Sequence, residues 1–238
     1  MKNFVLLLGT LFFGVSILLG SNAQLEKMIK DNEGLDVKVV DSKPTNIKSI
    51  QIVSLEQPNG LRIPVLASDD GKTIIGISEL LISSDEAFKN ALKTAYQDAT
   101  KHNKTITDNQ VLKLFQKYQK NYVLKLDGKN KSKTTYMVVD PNCPYCYQEI
   151  QKLDETLQNS NVEMLVVGAL GMDSIKKAAS FYEDIKNKKS QKDKIALLKA
   201  VFEKSYQPNQ NVDISAITSI GKELAQAGVN GVPYIIKK

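Results

Sequence analysis

One stretch of the sequence decides the fold: residues 136–146, which are YMVVDPNCPYC. Its first four residues form an apolar run that predicts a buried strand, and the apolar spacing after Cys146 predicts a helix. Cys143 would therefore stand at a helix N-terminus, where free backbone N–H groups and the helix dipole favour a thiolate. Pro144 suits the first helical turn, because it has no N–H that would need a partner there.

Cys146 follows three residues later, on the same face of the predicted helix, and can attack a mixed disulfide formed at Cys143. A disulfide between the two would close too small a loop to stabilise the fold appreciably. Half a zinc site completed by another chain, or two unrelated thiols, are the alternatives. The pattern favours a redox pair, with Pro144 and Tyr145 between the cysteines as the residues that tune it.

A second feature lies near the C-terminus, at Val232-Pro233. A proline at the start of a short strand can simply mark a sheet edge. Beside a helix-opening Cys-x-x-Cys, it predicts instead a cis-proline next to the disulfide. The backbone of Val232 would then be free to pair with an extended substrate, so both residues are candidates for substrate binding.

Composition excludes several other classes of protein. The 238 residues carry a formal net charge of +6, with lysines scattered along the chain and no tryptophan. Because aromatic and basic residues do not interleave, no nucleic-acid partner is predicted. Two cysteines and one histidine, His102, are too few for a self-contained zinc site, and neither a metal nor a cofactor is predicted.

The N-terminus predicts export. An apolar run over residues 4–20 is followed by Ser21-Asn22-Ala23, which places small residues where a signal peptidase needs them. Residues 1–23 are therefore predicted to be a signal peptide, although a membrane anchor is the alternative. The expected location is the periplasm, an oxidising compartment in which a cysteine pair can form a disulfide.

The rest of the chain divides into a small antiparallel-β domain over residues 24–84, a helical linker over 85–120 and an α/β domain over 121–238. In the first domain, residues 24–32 predict a helix, Asp70-Gly71 predicts a hairpin turn, and Pro64 belongs at an edge or a bulge. In the linker, polar residues 102–104 predict a break between two helices, with His102 in an exposed loop.

These motifs resemble a known family. The octapeptide VDPNCPYC at 139–146 and Gly231-Val232-Pro233 are similar to the thioredoxin-fold Dsb proteins of the DsbC/DsbG branch, and Leu61–Ile82 resembles that branch's dimerisation domain. The resemblance implies a mixed α+β and α/β protein: a dimerisation domain, a helical linker and a thioredoxin-like catalytic domain with a helical insertion. It also implies a homodimer in which Cys143 is the nucleophile and Cys146 the resolving thiol, with Pro233 as the cis-proline.

The sequence departs from the family pattern in three places. Many relatives carry an acidic residue six positions before the first cysteine, where this chain has Met137; Asp140 could replace it or could cap the turn into the helix. The residue before the cis-proline is Val232, as in DsbA-type oxidases, whereas isomerases usually have threonine. Third, the chain ends at Lys238, before the usual last strand and helix of a thioredoxin fold.

The predicted function is therefore a periplasmic thiol:disulfide oxidoreductase that introduces or rearranges disulfides, with the oxidase direction favoured. Its expected partners are exported cysteine-containing proteins and a membrane redox protein of DsbB or DsbD type. The alternatives are an isomerase or reductase of the same fold, and a periplasmic chaperone in which the cysteines are incidental.

Overall fold

The computed structural model describes residues 13–77 and 82–238, and the chain separates into two compact units, Met1–Ile106 and Thr107–Lys238. The helices are α1 (Phe13–Glu33), α2 (Glu86–Tyr118), α3 (Pro144–Gln151), α4 (Leu153–Asn159), α5 (Met172–Ile185), α6 (Gln191–Val201) and α7 (Ser215–Gln226). The strands are β1 (Lys38–Pro44), β2 (Ile50–Glu56), β3 (Arg62–Ser68), β4 (Ile74–Ile75), β5 (Leu124–Leu126), β6 (Thr134–Val139), β7 (Asn161–Val166) and β8 (Tyr234–Lys237). The predicted mixed α+β architecture is confirmed.

The first unit is built on an antiparallel sheet in the order β1-β2-β3-β4. Because side chains alternate along a strand, Val53 and Val65 pack on one face with Leu25 of α1, while Ile52 packs on the other face with Phe88 of α2. The sheet therefore has a small apolar cluster on each face.

Two expectations about this sheet agree with the structure. Residues 69–73 make the turn between β3 and β4, and Gly71 adopts a φ of 67°, which side chains rarely tolerate. Among the described residues, β4 pairs with Leu66 and Ala67, so Pro64 lies beyond its end, at an edge of β3. Proline has no N–H to donate to a neighbouring strand, and at an edge none is needed.

The helix expected from residue 24 is longer than predicted, because α1 already includes Phe13. The helix runs through the predicted cleavage position after Ala23, and buried Ser21 accepts a hydrogen bond from the Gln51 side chain at 3.2 Å. Residues 1–12, which hold most of the predicted apolar leader, lie outside the described residues. None of the helices within the described ranges is long and apolar enough to cross a membrane.

The prediction of two linker helices separated by a polar break is wrong, because α2 continues through residues 102–104. Two of these polar side chains contact the β2–β3 loop and the start of β3. Nε2 of His102 lies 2.9 Å from the Gly60 carbonyl. The Asn103 side chain pairs with both the N–H and the carbonyl of Arg62. His102 is therefore a half-buried helix residue rather than an exposed loop residue.

The second unit contains a sheet in the order β5-β7-β6-β8. β6 and β7 are parallel and are connected by α3 and α4, while β5 and β8 run antiparallel to their neighbours. Helices α5, α6 and α7 lie between β7 and β8 in the chain. This arrangement places the start of α3 directly after the central strand β6.

β5 begins at Leu124 and does not extend back to Tyr122, because a side chain enters the ladder. The hydroxyl of Tyr182 donates to the Tyr122 carbonyl at 2.6 Å and accepts the Val166 N–H at 2.8 Å. These two backbone groups would otherwise continue the pairing of β5 with β7. The hydroxyl satisfies both, as buried backbone groups require.

Candidate active site

Cys143 is the N-cap residue of α3, with φ −82° and ψ 119°. Pro144 follows in the first turn, and the Cys146 N–H donates to the Cys143 sulfur at 3.4 Å. The cap works here through a sulfur atom instead of the usual oxygen. A helix N-terminus that donates to this sulfur favours the negative charge that a nucleophilic thiolate carries.

The two cysteines differ little in exposure. Cys146 is completely buried and Cys143 is only 4% exposed, whereas Tyr145 between them is 67% exposed. Cys143 is thus less open than its predicted role suggests, and a client must approach along the surface around it. Both cysteines are free thiols in this structure.

The cis-proline loop lies against Cys143. The Val232–Pro233 peptide bond is cis, and the Cys143 thiol donates to the Val232 carbonyl at 3.4 Å. The structure therefore brings together residues that stand 89 positions apart in the sequence.

Asp140 is fully buried beneath the cysteine pair. Its carboxylate accepts from the N–H groups of Asn142 (2.7 Å) and Leu170 (2.9 Å) and from the hydroxyl of Ser174 (2.9 Å). Its own N–H donates to the Cys146 sulfur at 3.4 Å. Of the two roles considered for Asp140, capping the turn into α3 is thus visible in the geometry.

Sequence reasoning missed Lys177, whose side chain is 7% exposed. Its ammonium donates to the Asn142 side chain at 3.0 Å and lies 3.7 Å from the Asp173 carboxylate. The available signal was its place on α5, between Ser174 and Phe181 on the buried face of the helix. A lysine on the buried face of a helix predicts a buried polar partner, because burying an unpaired charge would destabilise the fold.

Burial raises the pKa of the Cys146 thiol above its usual value. The N–H of Asp140 acts in the opposite direction, while negative charge on Cys143 and Asp140 adds to the increase. The two sulfurs therefore differ in environment. The Cys143 sulfur caps a helix, whereas burial keeps the Cys146 sulfur protonated as a thiol. Within the described ranges, no group of three or more residues forms a candidate metal site.

Comparisons with known proteins agree with this geometry. Residues 25–111 match the family model described as disulfide isomerase DsbG N-terminal. The structure is similar to DsbG of Helicobacter pylori, with 26% sequence identity and a TM-score of 0.52, covering 91% of this chain and 100% of that one. No curated protein sequence matches the chain.

Two more distant structural similarities have TM-scores below 0.5. A periplasmic thioredoxin-like protein from Salmonella enterica serovar Typhimurium is 18% identical, with a TM-score of 0.40 over 48% of this chain and 77% of that one. A linker-deletion mutant of Proteus mirabilis ScsC is 15% identical, with a TM-score of 0.44 over 67% and 88% of the two chains.

A thioredoxin-like sheet with a cysteine pair at the start of α3, the helix that follows β6, defines the class of the protein as a thiol:disulfide oxidoreductase. Within that class, residues 25–111 resemble the N-terminal domain of DsbG, and the structure is similar to that of H. pylori DsbG over the whole of that chain.

Proposed function

We propose that this protein is an exported thiol:disulfide oxidoreductase that exchanges disulfides with cysteine-containing proteins of the periplasm. The observation that carries the proposal is the placement of Cys143, which caps α3 and contacts the Val232 carbonyl. A client that pairs with this backbone would bring its own sulfur to Cys143.

In the oxidising direction, a client thiolate attacks the Cys143 sulfur of the Cys143–Cys146 disulfide, and Cys146 leaves as a thiolate that takes up a proton. A second client thiolate then attacks the client sulfur of the mixed disulfide and releases Cys143 as a thiolate. Two electrons pass from the client to the protein, and a membrane partner of DsbB type would remove them. A partner of DsbD type would instead keep the pair reduced.

The raised pKa of Cys146 fits its role as the resolving residue, since the displaced thiolate readily takes up a proton and then does not compete with Cys143 for clients. Pro144 and Tyr145 would tune the pair from the first turn of the helix. Val232 and Pro233 would bind the client backbone.

The oxidase direction is favoured by Val232. A threonine at this position would add a hydroxyl that can hydrogen-bond near the sulfurs, whereas valine has similar volume and no such group. A mixed disulfide that lacks this contact should be released sooner, which suits an oxidase more than an isomerase.

Isomerase activity is the second candidate, because the family model that matches residues 25–111 is described as that of a disulfide isomerase. Two assays distinguish an oxidase from an isomerase: oxidation of a reduced multi-cysteine client, and recovery of native protein from a client with scrambled disulfides. The oxidase proposal expects rapid oxidation, poor recovery and better recovery with Val232→Thr. Efficient recovery by the unmodified reduced protein would assign it as an isomerase, and anti-aggregation activity without any exchange would assign it as a chaperone.

We also propose a homodimer formed through residues 24–84. Large apolar side chains on this segment are 39–86% exposed: Val40, Ile47, Ile63, Ile75 and Ile82. Together with the edge of β3 at Pro64, they provide surface that a second copy can cover. Sedimentation of the full chain should give a dimer at micromolar concentration, and a monomer there would reject the proposal.

Export by a signal peptide over residues 1–23 belongs to the same proposal. The mass of the protein recovered from the periplasm should correspond to a chain beginning at Gln24. A full-length chain retained in the membrane fraction would show instead that the segment is an anchor.

A further inference from the structure

A groove of about 650 Å³ opens beside Cys143. It is bordered by Cys143, by residues 167–170, by helix α7 and by residues 229–232 before the cis-proline. The groove is thus continuous with both the sulfur and the backbone that a client would contact. Its volume is in the range of pockets that bind small groups.

The groove contains a glycine that the fold itself does not require. Gly221 lies in the interior of α7, where glycine costs about 1 kcal/mol relative to alanine. A Cβ built on Gly221 meets nothing within 4 Å, and its φ is not in the positive range that favours glycine. By contrast, a Cβ on Gly168 would lie 2.3 Å from the Ile175 side chain, so close packing explains that glycine.

The lining indicates what the groove can hold. Its walls are mainly apolar, including Ile217, Leu224 and Val229, and Leu170 beside them is 57% exposed. Among the described residues that line it, Lys222 is the one charged residue and none is a carboxylate. A positively charged side chain would therefore lose its hydration there without gaining a partner.

We propose that this groove binds an apolar side chain of the client, within two residues of the client's cysteine, and that Gly221 leaves the space for it. An extended chain advances about 7 Å in two residues, so such a side chain stays close to the sulfur joined to Cys143. The inference rests on the proposed function, since it takes the client to be bound at Cys143.

The test uses the full chain with Cys146→Ser and short peptides whose cysteine is activated as a disulfide with thionitrobenzoate. The Cys143 thiolate attacks the peptide sulfur and displaces thionitrobenzoate, whose colour reports the rate; one disulfide breaks and one forms, so no further oxidant is needed. The peptides carry leucine, alanine or lysine beside the cysteine. Burying the leucine should make its second-order rate constant about tenfold higher than that of the alanine peptide, and lysine should give the lowest.

Gly221→Leu fills the groove from a half-buried position on its wall and should reduce the leucine preference to below about twofold, whereas reaction with the alanine peptide should change little. Ser219→Leu is the matched control, because Ser219 is an exposed residue of α7 that does not line the groove. It should keep the preference. Thermal unfolding of both variants checks that the helix is intact.

Equal rates for the three peptides in the parent would overturn the inference without any variant. A leucine preference that survives in a folded Gly221→Leu variant would overturn it as well. If the parent releases no thionitrobenzoate from any peptide, the exchange activity itself is absent, and the proposed function fails instead.

Discussion

The two compact units of this chain use apolar residues very differently. In the second unit, thirty buried residues form one continuous core around the sheet β5-β7-β6-β8, and both cysteines belong to it. Among the described residues of the first unit, buried apolar side chains form clusters of six and three on opposite faces of a thin sheet. Ile63 and Ile75 of the same sheet remain more than 40% exposed.

This difference in packing indicates that the two units have different functions. A core that encloses the cysteine pair can hold the sulfurs and their partners in a fixed geometry, because close-packed side chains resist displacement. A thin sheet gains stability when another surface covers its exposed apolar residues. We therefore expect redox chemistry to depend on the second unit, and assembly to depend on the first.

The largest effect should come from the cysteines. Cys143→Ser is expected to reduce thiol–disulfide exchange to the uncatalysed rate, whereas Cys146→Ser should accumulate mixed disulfides with client proteins, since no second thiol resolves them. Mass spectrometry of the alkylated reduced protein provides the measurement. Faster alkylation of Cys146 than of Cys143 would contradict the assignment of roles.

Core substitutions compare the two units directly. Leu165→Ala, at a fully buried position of β7, should lower the free energy of unfolding of its unit by a value near the upper end of about 2–5 kcal/mol. Leu55→Ala in β2 should cost less, near the lower end, because a thin cluster can collapse around the cavity. Denaturant titration gives both values, and equal losses would argue against the difference in packing.

Alkaline pH should affect the second unit selectively. Because burial raises the pKa of Cys146, the folded state holds its proton at pH values where the unfolded chain has lost it. The free energy of unfolding of the reduced protein should therefore be unaffected below about pH 8.5 and then fall by at most about 1.4 kcal/mol per pH unit. Unfolding curves between about pH 7.5 and 9.5 measure this.

Cys146→Ala is the control for that experiment, since it removes the titrating thiol. The same slope in this variant would assign the pH dependence to another group. Tyr182, whose pKa is also raised by burial, would contribute only above about pH 10.

The smallest effect on stability is expected from Ile63→Lys. Since Ile63 is exposed in the single chain, the substitution should change the stability of an isolated unit by less than about 0.5 kcal/mol. It should nevertheless weaken the proposed dimer, because a lysine would be buried without a partner in the interface. Denaturant titration measures the stability and sedimentation measures the dimer; an intact dimer would place the interface elsewhere.

Local chemistry made several features predictable. Cys143 and Pro144 form the start of α3 as expected, since capping and the missing proline N–H act within one turn. The turn at Asp70-Gly71 follows from the conformational freedom of glycine. Interactions of this kind depend on residues close in sequence, so the sequence alone was enough.

Long-range partners were not predictable. Polar residues 102–104 predicted a break, yet α2 continues there because His102 and Asn103 bind a loop about 40 residues away. The hydroxyl of Tyr182 replaces a strand pairing whose backbone groups alone would have lengthened β5. In both cases a side chain satisfies backbone groups that local propensity cannot take into account.

The sequence by itself therefore determined the reactive pair, the helix that Cys143 caps and the class of fold. Only the tertiary structure decided what surrounds that pair: the Val232 carbonyl at Cys143, the buried carboxylate of Asp140 with its three donors, and the open groove at Gly221. A thiol's identity is encoded locally, but its burial, its hydrogen bonds and the space beside it depend on residues that meet only when the whole unit packs.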